Sequence, residues 1–418
     1  MPDFLPYFII AFAVSGLLCV IFEEVIHISK SITVLCFGTF SWILLFAATA
    51  SGEEHSRVVQ GLDENIGEIA SLWLFLTAAM TFVAYLNKKG LIESLIYKFL
   101  PNRISERALL LLTGGFAFIF SSLADNITAT LISITLVLSL NLTPQKTLRF
   151  AVVVIFAVNS GGVSMITGDV TTLMIFLDNK ATITNLLFLS IPAVFAVLLL
   201  MTVLARPLSE TVLLSKESQS LERVDIVVAV IFISTILSTI ALNVYFGIPP
   251  VLTFLGGLSL MFFTAHLMGE DSTDHPIMDY VRRIEFDTLM FFLGILLLVG
   301  ALKEIHALDS FVRLYDFLPA WQANYLMGLL SALIDNVPLT AALLKSDVIM
   351  SSAEWLALTY AVGVGGSLLV VGSAAGIVAM SKVSELTFAS YLKFILALLF
   401  AYTAGYLGSL GLGYWIVV

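Results

Sequence analysis

Long apolar segments recur along the chain and predict helices that cross a membrane. Segments near the required length of about 20 residues lie at 4–22, 31–50, 67–87, 183–205, 224–246, 250–268, 285–303 and 390–417. Two others, 147–178 and 355–381, are long but interrupted by glycine and small polar residues. Regions 106–140 and 320–345 are divided by polar pairs, and each half is short for a span. The pattern predicts an all-α polytopic membrane protein with about ten spans and two re-entrant hairpins.

The composition supports this prediction and excludes several classes of function. The chain has 418 residues, of which 59% are hydrophobic and 12% are charged, and its mean hydropathy is +1.02. Soluble domains have about 45–50% apolar and about 25% charged residues, so a soluble enzyme and a disordered protein are excluded. The net charge of -10 argues against nucleic-acid binding. Asp3 stands where a signal peptide would be basic, so we expect a retained first span. Cys19 and Cys36 lie in apolar runs and suggest no disulfide framework.

The Lys and Arg residues are unequally distributed between the two sides of this topology. Three quarters of the 20 basic residues fall on one side, which the positive-inside rule makes cytoplasmic. Both termini and the acidic loop 51–66 are therefore expected outside. Basic residues flank region 106–140 at both ends, as they would for a hairpin or for two full crossings. Its length, rather than its charge, favours the hairpin.

The second half of the chain repeats the order of the first. Residues 121–128 resemble residues 331–338, and the two stretches place Asp125 and Asp335 210 positions apart. The interrupted segments and the spans 67–87 and 285–303 are similarly paired. Each half then has an odd number of crossings, so we predict two inverted repeats, residues 1–223 and 224–418, with helices broken at mid-membrane. This arrangement is typical of secondary transporters.

Three aspartates lie deep in apolar sequence and are the candidate chemistry. Asp125, Asp169 and Asp335 have no nearby Lys or Arg in the sequence, and an intramembrane acid costs roughly 2.5–3.5 kcal/mol on insertion scales. Each could simply cap a helix, but a matched pair favours function. The adjacent Asn126 and Asn336 add amide oxygens, which hard cations accept as ligands. A carboxylate that binds either a proton or a cation would support exchange.

The interrupted segment of the first half carries further oxygen ligands. Small residues allow its helix to unwind, and irregular backbone at that depth is tolerated where it lines a cavity. A helix-packing face is the structural alternative. The candidate ligands of the first half are Thr128, Asn159, Ser160, Ser164, Thr167, Thr171 and Thr172. The matching segment has Ser367 and Ser373 but no acid. We place Na⁺ or Li⁺ at Asp125, Asn159 and Asp169, with Asp335 as a second acid.

Two glutamates open the paired spans. Glu68 begins the span 67–87 and Glu285 begins the span 285–303. We interpret both as interfacial, and a role in gating or pH tuning is the alternative.

The sequence resembles the NhaD-type sodium/proton antiporters of the ion transporter superfamily. The stretches that carry the resemblance are 67–70, 75–76, 79–81, 122–128, 159–162, 168–172, 333–338, 365–369 and 372–376, while 284–292 also resembles arsenite permeases. The resemblance implies exchange of cytoplasmic Na⁺ or Li⁺ for external protons in a bacterial inner membrane. It implies no cofactor beyond the transported ions. It also implies a scaffold domain with dimer contacts, so we expect a homodimer in the lipid bilayer. The residues implied in ion binding are Asp125, Asn126, Asn159, Asp169, Thr171, Thr172, Asp335 and Asn336.

Four other functions are alternatives to this one. A citrate or dicarboxylate carrier of the same fold would carry neutral donors at the hairpin tips, whereas Asp125 and Asp335 would repel an anion. An arsenite permease fits better than that carrier. An intramembrane aspartyl protease needs Gly-x-Gly-Asp, but Ile166 stands at the first glycine position. The residue types are also compatible with a passive channel, although inverted repeats favour alternating access.

Overall fold

The computed structural model shows a helical protein. It describes residues 5–21, 26–49, 52–89, 103–140, 142–213, 223–268, 278–282, 284, 286–333, 336–346 and 348–416. The helices of the first half are α1 Leu5–Ile21, α2 Lys30–Ala48, α3 Glu53–Lys88, α4 Glu106–Leu123, α5 Asn126–Ser139, α6 Pro144–Gly162, α7 Val170–Leu177 and α8 Ile183–Leu204. Those that follow are α9 Arg223–Phe246, α10 Pro250–Leu267, α11 Met278–Val281, α12 Phe286–Glu304, α13 Asp309–Phe317, α14 Ala320–Ser331, α15 Asn336–Lys345, α16 Ser352–Gly365, α17 Ala374–Lys382, α18 Phe388–Leu392 and α19 Ile395–Ile416.

Within the described residues, eight helices are long and apolar enough to cross a membrane. They are α2, α3, α4, α8, α9, α10, α12 and α19. Seven of them coincide with predicted spans. The remaining predicted span, 4–22, contains α1, which has 17 residues and is not among the eight. The eighth, α4, has 18 residues and belongs to the region in which the sequence predicted two short halves. The chain is thus a polytopic membrane protein, and α4 is longer than the short half predicted for this region.

The acidic stretch 51–66, predicted as a loop, is helical from Glu53 onward. Helix α3 has 36 residues, or about 54 Å at 1.5 Å per residue, which exceeds a bilayer core of about 30 Å. Glu53 and Glu54 lie in its first turn, where acidic side chains favour a helix. Val58 is fully buried with Trp42 and Leu45 in one apolar cluster. The loop prediction was wrong because tertiary packing orders this polar stretch.

Both divided regions break where the polar pairs stand. Helices α4 and α5 meet around Asp125, while α14 ends at Ser331 and α15 begins at Asn336. The interrupted segments break as well. Helices α6 and α7 are separated by residues 163–169, and α16 continues through a 3-10 turn, Gly366–Leu368, before α17 begins at Ala374. Helix breaks thus occur in all four places that the polar pattern marked.

Contacts divide the chain into two compact units. The first contains Met1–Thr77, Glu285–Ala323 and Val337–Ile349, and the second contains Ala78–Ile284, Asn324–Asn336 and Met350–Val418. Each unit draws on both halves of the chain, so the units are a different division from the repeats predicted at 1–223 and 224–418.

In the first unit, α2 and α12 pack closely. A Cβ added to Gly38 would lie 2.5 Å from the carbonyl oxygen of Gly294, so the two glycines allow the helix backbones to meet. Trp42 Nε1 donates to Leu297 O at 2.8 Å, and Trp73 Nε1 donates to Leu289 O at 2.7 Å. These bonds satisfy indole donors that would otherwise be buried unpaired.

In the second unit, the broken helices form the core. Residues 150–162 of α6 and its C-cap, Val163, are all buried. A helix that is apolar on all sides is expected to be buried in this way. An ion-pair network surrounds Glu106, the first residue of α4. Lys146 Nζ lies 2.5 Å from Glu106 Oε1 and 2.9 Å from Glu210 Oε2. The hydrogen bonds to the two carboxylates, chiefly Glu106, raise the pKa of Lys146. Beside it, strand β1 Arg103–Ser105 pairs antiparallel with β2 Thr211–Leu213.

Candidate functional site

Asp169 occupies the break between α6 and α7 and is the N-cap of α7. Its Oδ1 accepts hydrogen bonds from Thr171 N at 2.9 Å and from Thr171 Oγ1 at 3.0 Å. The residue is only 6% exposed. An aspartate at this position satisfies a helix N–H that would otherwise be unpaired. The capping role therefore explains one oxygen of the carboxylate and leaves the other to be explained.

That second oxygen receives two asparagine amides. Asp169 Oδ2 accepts from Asn126 Nδ2 at 2.9 Å and from Asn336 Nδ2 at 3.1 Å. Asn126 is the first residue of α5 and Asn336 is the first residue of α15. The two matched asparagines, 210 positions apart, thus meet on one carboxylate. Four donors around a buried group are the environment that an anionic carboxylate requires.

Asp125 is placed differently from Asp169. It is half-buried and caps α5, accepting from Thr128 N at 2.8 Å through Oδ1 and from Thr128 Oγ1 at 2.7 Å through Oδ2. These bonds are local to its own helix. The hydrogen bond from the α4–α5 break to Asp169 comes from Asn126. The structure therefore brings Asn126, Asn336 and Thr171 onto Asp169, and it brings Thr128 onto Asp125.

A second polar contact joins the two broken helices. Asn159 Nδ2 donates to Ile155 O at 2.8 Å and to Ser373 Oγ at 3.2 Å. Ser373 caps α17 and so corresponds to Asp169, which caps α7. Asn159 Oδ1 and Ser160 Oγ are buried and make no hydrogen bond within the described part of the chain. Because unpaired buried oxygens are rare and costly, these two atoms are candidate cation ligands.

The other candidate hydroxyls donate to backbone carbonyls near the breaks. Thr167 donates to Ser122 O at 2.6 Å, Thr172 to Gly162 O at 3.4 Å and Ser164 to Ser160 O at 3.3 Å. In the second arm, Ser367 donates to Val364 O at 2.6 Å. A hydroxyl that donates retains lone pairs with which it can accept or bind a cation. All four are buried.

Two serines that were not among the predicted site residues, Ser121 of α4 and Ser331 of α14, hydrogen-bond to the broken helices. Ser121 Oγ lies 2.7 Å from Val158 O and 2.7 Å from Asn126 Oδ1. Ser331 Oγ lies 2.7 Å from Val362 O. Both serines stand at the same position of the repeated stretches, which was the available signal. Tyr391, whose hydroxyl donates to Ser367 O at 2.5 Å, had no comparable signal.

Three acidic candidates remain to be placed. Asp335 and Glu285 lie outside the described residues. Glu68 forms an ion pair with Lys345, which is the last residue of α15.

Replacing Gly162 by alanine is expected to weaken ion binding. The added Cβ would lie 2.7 Å from Asn126 Oδ1 and 3.1 Å from Asp169 Cβ, so the Asn126–Asp169 hydrogen bond must shift. A displaced Asn126 cannot supply its Oδ1 to a cation at Asp169, and an interaction with a charged group is worth about 1.5–3 kcal/mol, so the KM for a bound cation should rise about tenfold or more. Gly115→Ala is the matched control, because a Cβ there meets nothing within 4 Å. An unchanged KM in Gly162→Ala would contradict the described geometry.

Comparison with known proteins identifies the family. A family model described as citrate transporter matches residues 6–365. The chain is 30% identical to the Na⁺/H⁺ antiporter NhaD of Vibrio cholerae over 92% of this chain and 87% of that protein. It is 30% identical to NhaD of Alkalimonas amylolytica over 97% and 90%. It is 29% identical to sodium/proton antiporter 2 of Arabidopsis thaliana over 93% and 96%. The chain therefore belongs to the family described by the citrate-transporter model and is a relative of the NhaD-type antiporters.

Proposed function

We propose that this protein is a secondary transporter that exchanges Na⁺ or Li⁺ for H⁺ at Asp169. The observation that carries the proposal is the buried Asp169 carboxylate, held between the asparagines of the two hairpins. The names of the relatives support the choice of ions. Carboxylate and amide oxygens are good ligands for hard cations, and a carboxylate also binds a proton. One group that accepts either ion, but not both, supplies the competition that exchange requires.

The asparagine amides give this competition a physical route. With Asp169 anionic, Asn126 and Asn336 present their Nδ2 donors to Oδ2. A bound Na⁺ requires oxygen ligands, so each amide rotates to present Oδ1 in place of Nδ2. A bound proton makes Asp169 a donor, which an asparagine Oδ1 can accept. The same amides therefore serve the empty, the cation-bound and the protonated states.

Additional ligands are available close to the breaks. We assign Asn159 Oδ1 and Ser160 Oγ to the cation because both are buried without a hydrogen bond in the described part. Asp125 is proposed as a second titrating acid at the tip of the first hairpin. Asp335 is proposed for the corresponding place in the second hairpin.

The wider architecture is proposed on the same basis. The chain is assigned ten spans and two re-entrant hairpins in inverted repeats, with both termini outside a bacterial inner membrane. The parallel breaks of α6–α7 and α16–α17 support the repeats, as do the equivalent contacts of Ser121 and Ser331. The hairpins and broken helices then alternate access to the site. The protein is further proposed to act as a homodimer without a cofactor.

An anion substrate is the second candidate, because the family model that matches is described as citrate transporter. A citrate carrier would need to place several negative charges beside its ligand-binding groups. The described site instead presents the Asp169 carboxylate, and like charges at close range are destabilising. The site chemistry therefore favours the cation.

Everted membrane vesicles test this choice of substrate. Vesicles carrying the protein are acidified inside by respiration, and the pH gradient is followed with a fluorescent probe. We expect Na⁺ and Li⁺ to dissipate the gradient, and K⁺, citrate or arsenite to leave it intact. Vesicles lacking the protein are the control. An equal response to K⁺ and Na⁺, or a response to citrate alone, would refute Na⁺ exchange.

A further inference from the structure

Helix α15 carries a polar contact at each end. It has ten residues, so it extends about 15 Å at 1.5 Å per residue. Its first residue, Asn336, donates to Asp169 Oδ2 at 3.1 Å. Its last residue, Lys345, forms an ion pair with Glu68 of α3. Whatever fixes the far end of so short a helix also fixes the position of Asn336.

The surroundings of Lys345 favour a persistent ion pair. The Lys345 side chain is 11% exposed and the Glu68 side chain is 51% exposed. An ammonium that is largely withdrawn from water depends on a partner, since an unpaired buried charge is strongly destabilising. A lysine in the last turn of a helix is also favoured by the helix dipole. The two effects act together to hold the end of α15 against α3.

The corresponding place in the first hairpin has no charge. The residue 210 positions before Lys345 is Thr135, an exposed side chain that donates to Leu131 O of its own helix at 2.7 Å. Helix α5 carries no Lys, Arg, Asp or Glu along its length. The ion pair is therefore a property of the second hairpin, and the repeat does not account for it.

We infer that Lys345 and Glu68 are positioning residues, which hold α15 so that Asn336 reaches Asp169. The inference rests on the proposed exchange at Asp169. Neither residue touches the transported ion, and their effect passes through the placement of the Asn336 amide. Neutralising either one loosens α15 and weakens cation binding, while the Asp169 carboxylate remains available to protons.

The experiment compares Lys345→Gln, Glu68→Gln and the exchanged pair Lys345→Glu with Glu68→Lys. The matched control is Lys303→Gln, which neutralises an exposed lysine of α12. Amide hydrogen exchange of residues 336–345 is measured on the purified full-length protein. We expect each single variant to increase exchange of α15 by about tenfold or more. The exchanged pair should return it to within about threefold of wild type, because Glu is less favourable than Lys at this helix end.

Transport by the same variants gives the second readout. Each single variant should raise the KM for Na⁺ by about tenfold with little change in the maximal rate, and the exchanged pair should reverse most of this rise. Wild-type protection of α15 in Lys345→Gln, or failure of the exchanged pair to restore either readout, would overturn the inference. If the wild-type protein moves no Na⁺, the proposed function fails, while the hydrogen exchange of α15 still decides whether the pair positions the helix.

Discussion

Asp169→Asn is expected to abolish Na⁺-dependent proton exchange while leaving the protein folded. The substitution preserves the cap, because an asparagine Oδ1 can accept from Thr171 N as Asp169 does. It removes the negative charge and the group that binds the proton. The cation loses its charged ligand, and an interaction with a charged group is worth about 1.5–3 kcal/mol, so cation affinity alone should fall at least about tenfold. Initial rates of proton flux over a range of Na⁺ concentrations give the measurement.

Asp169→Ser is the matched control for this result. Ser373 occupies the corresponding N-cap in the second broken helix, so serine is compatible with such a break. We expect Asp169→Ser to be expressed, to keep the wild-type thermal stability within a few degrees, and to transport no Na⁺. If either variant exchanges Na⁺ at the wild-type rate, Asp169 is a structural cap and the site lies elsewhere.

Asp125→Asn is expected to abolish exchange as well, and it separates two roles that the structure allows. Both oxygens of Asp125 are bound to Thr128, which a capping residue alone would explain. Asparagine caps helices as well as aspartate does, so a pure cap would tolerate this change. Loss of flux in Asp125→Asn, measured in vesicles with matched expression, would therefore assign a role to its charge.

Asp125→Ala provides the comparison, because it removes the cap together with the charge. Loss of an N-cap costs about 0.5–2 kcal/mol, so this variant should melt at a lower temperature than Asp125→Asn. If Asp125→Asn retains full exchange and only Asp125→Ala is impaired, the role of Asp125 is capping, and Asp169 is the exchanging acid of the first half.

The sequence located the helix breaks well, because each break coincides with residues that disfavour a buried helix. The Asp125–Asn126 pair, the run from Gly161 to Asp169 and the serines and glycines after Gly365 interrupt otherwise apolar segments. Such local signals are visible in one dimension. The acidic stretch after Glu53 was misassigned because Val58 is buried in a cluster with Ala301 and Ile305, which are far from it in the sequence.

The partners of the aspartates could not be predicted from the sequence. The repeat placed Asn126 and Asn336 at equivalent positions, but not on one carboxylate. Which of two adjacent residues, Asp125 or Asn126, faces Asp169 depends on the course of the chain at the break between α4 and α5. In the structure the aspartate caps its own helix and the asparagine crosses to Asp169. The ion pair of Lys345 with Glu68 depends in the same way on tertiary contacts.

The most direct test uses the purified protein in liposomes, where no other transporter is present. Liposomes loaded with Na⁺ are diluted into Na⁺-free medium at alkaline pH, and the internal pH is followed. We predict that outward Na⁺ movement acidifies the lumen with the wild-type protein and not with Asp169→Asn, and that an equal K⁺ gradient has no effect. Acidification that persists in Asp169→Asn, or wild-type liposomes that respond to K⁺ as to Na⁺, would contradict Na⁺/H⁺ exchange at Asp169.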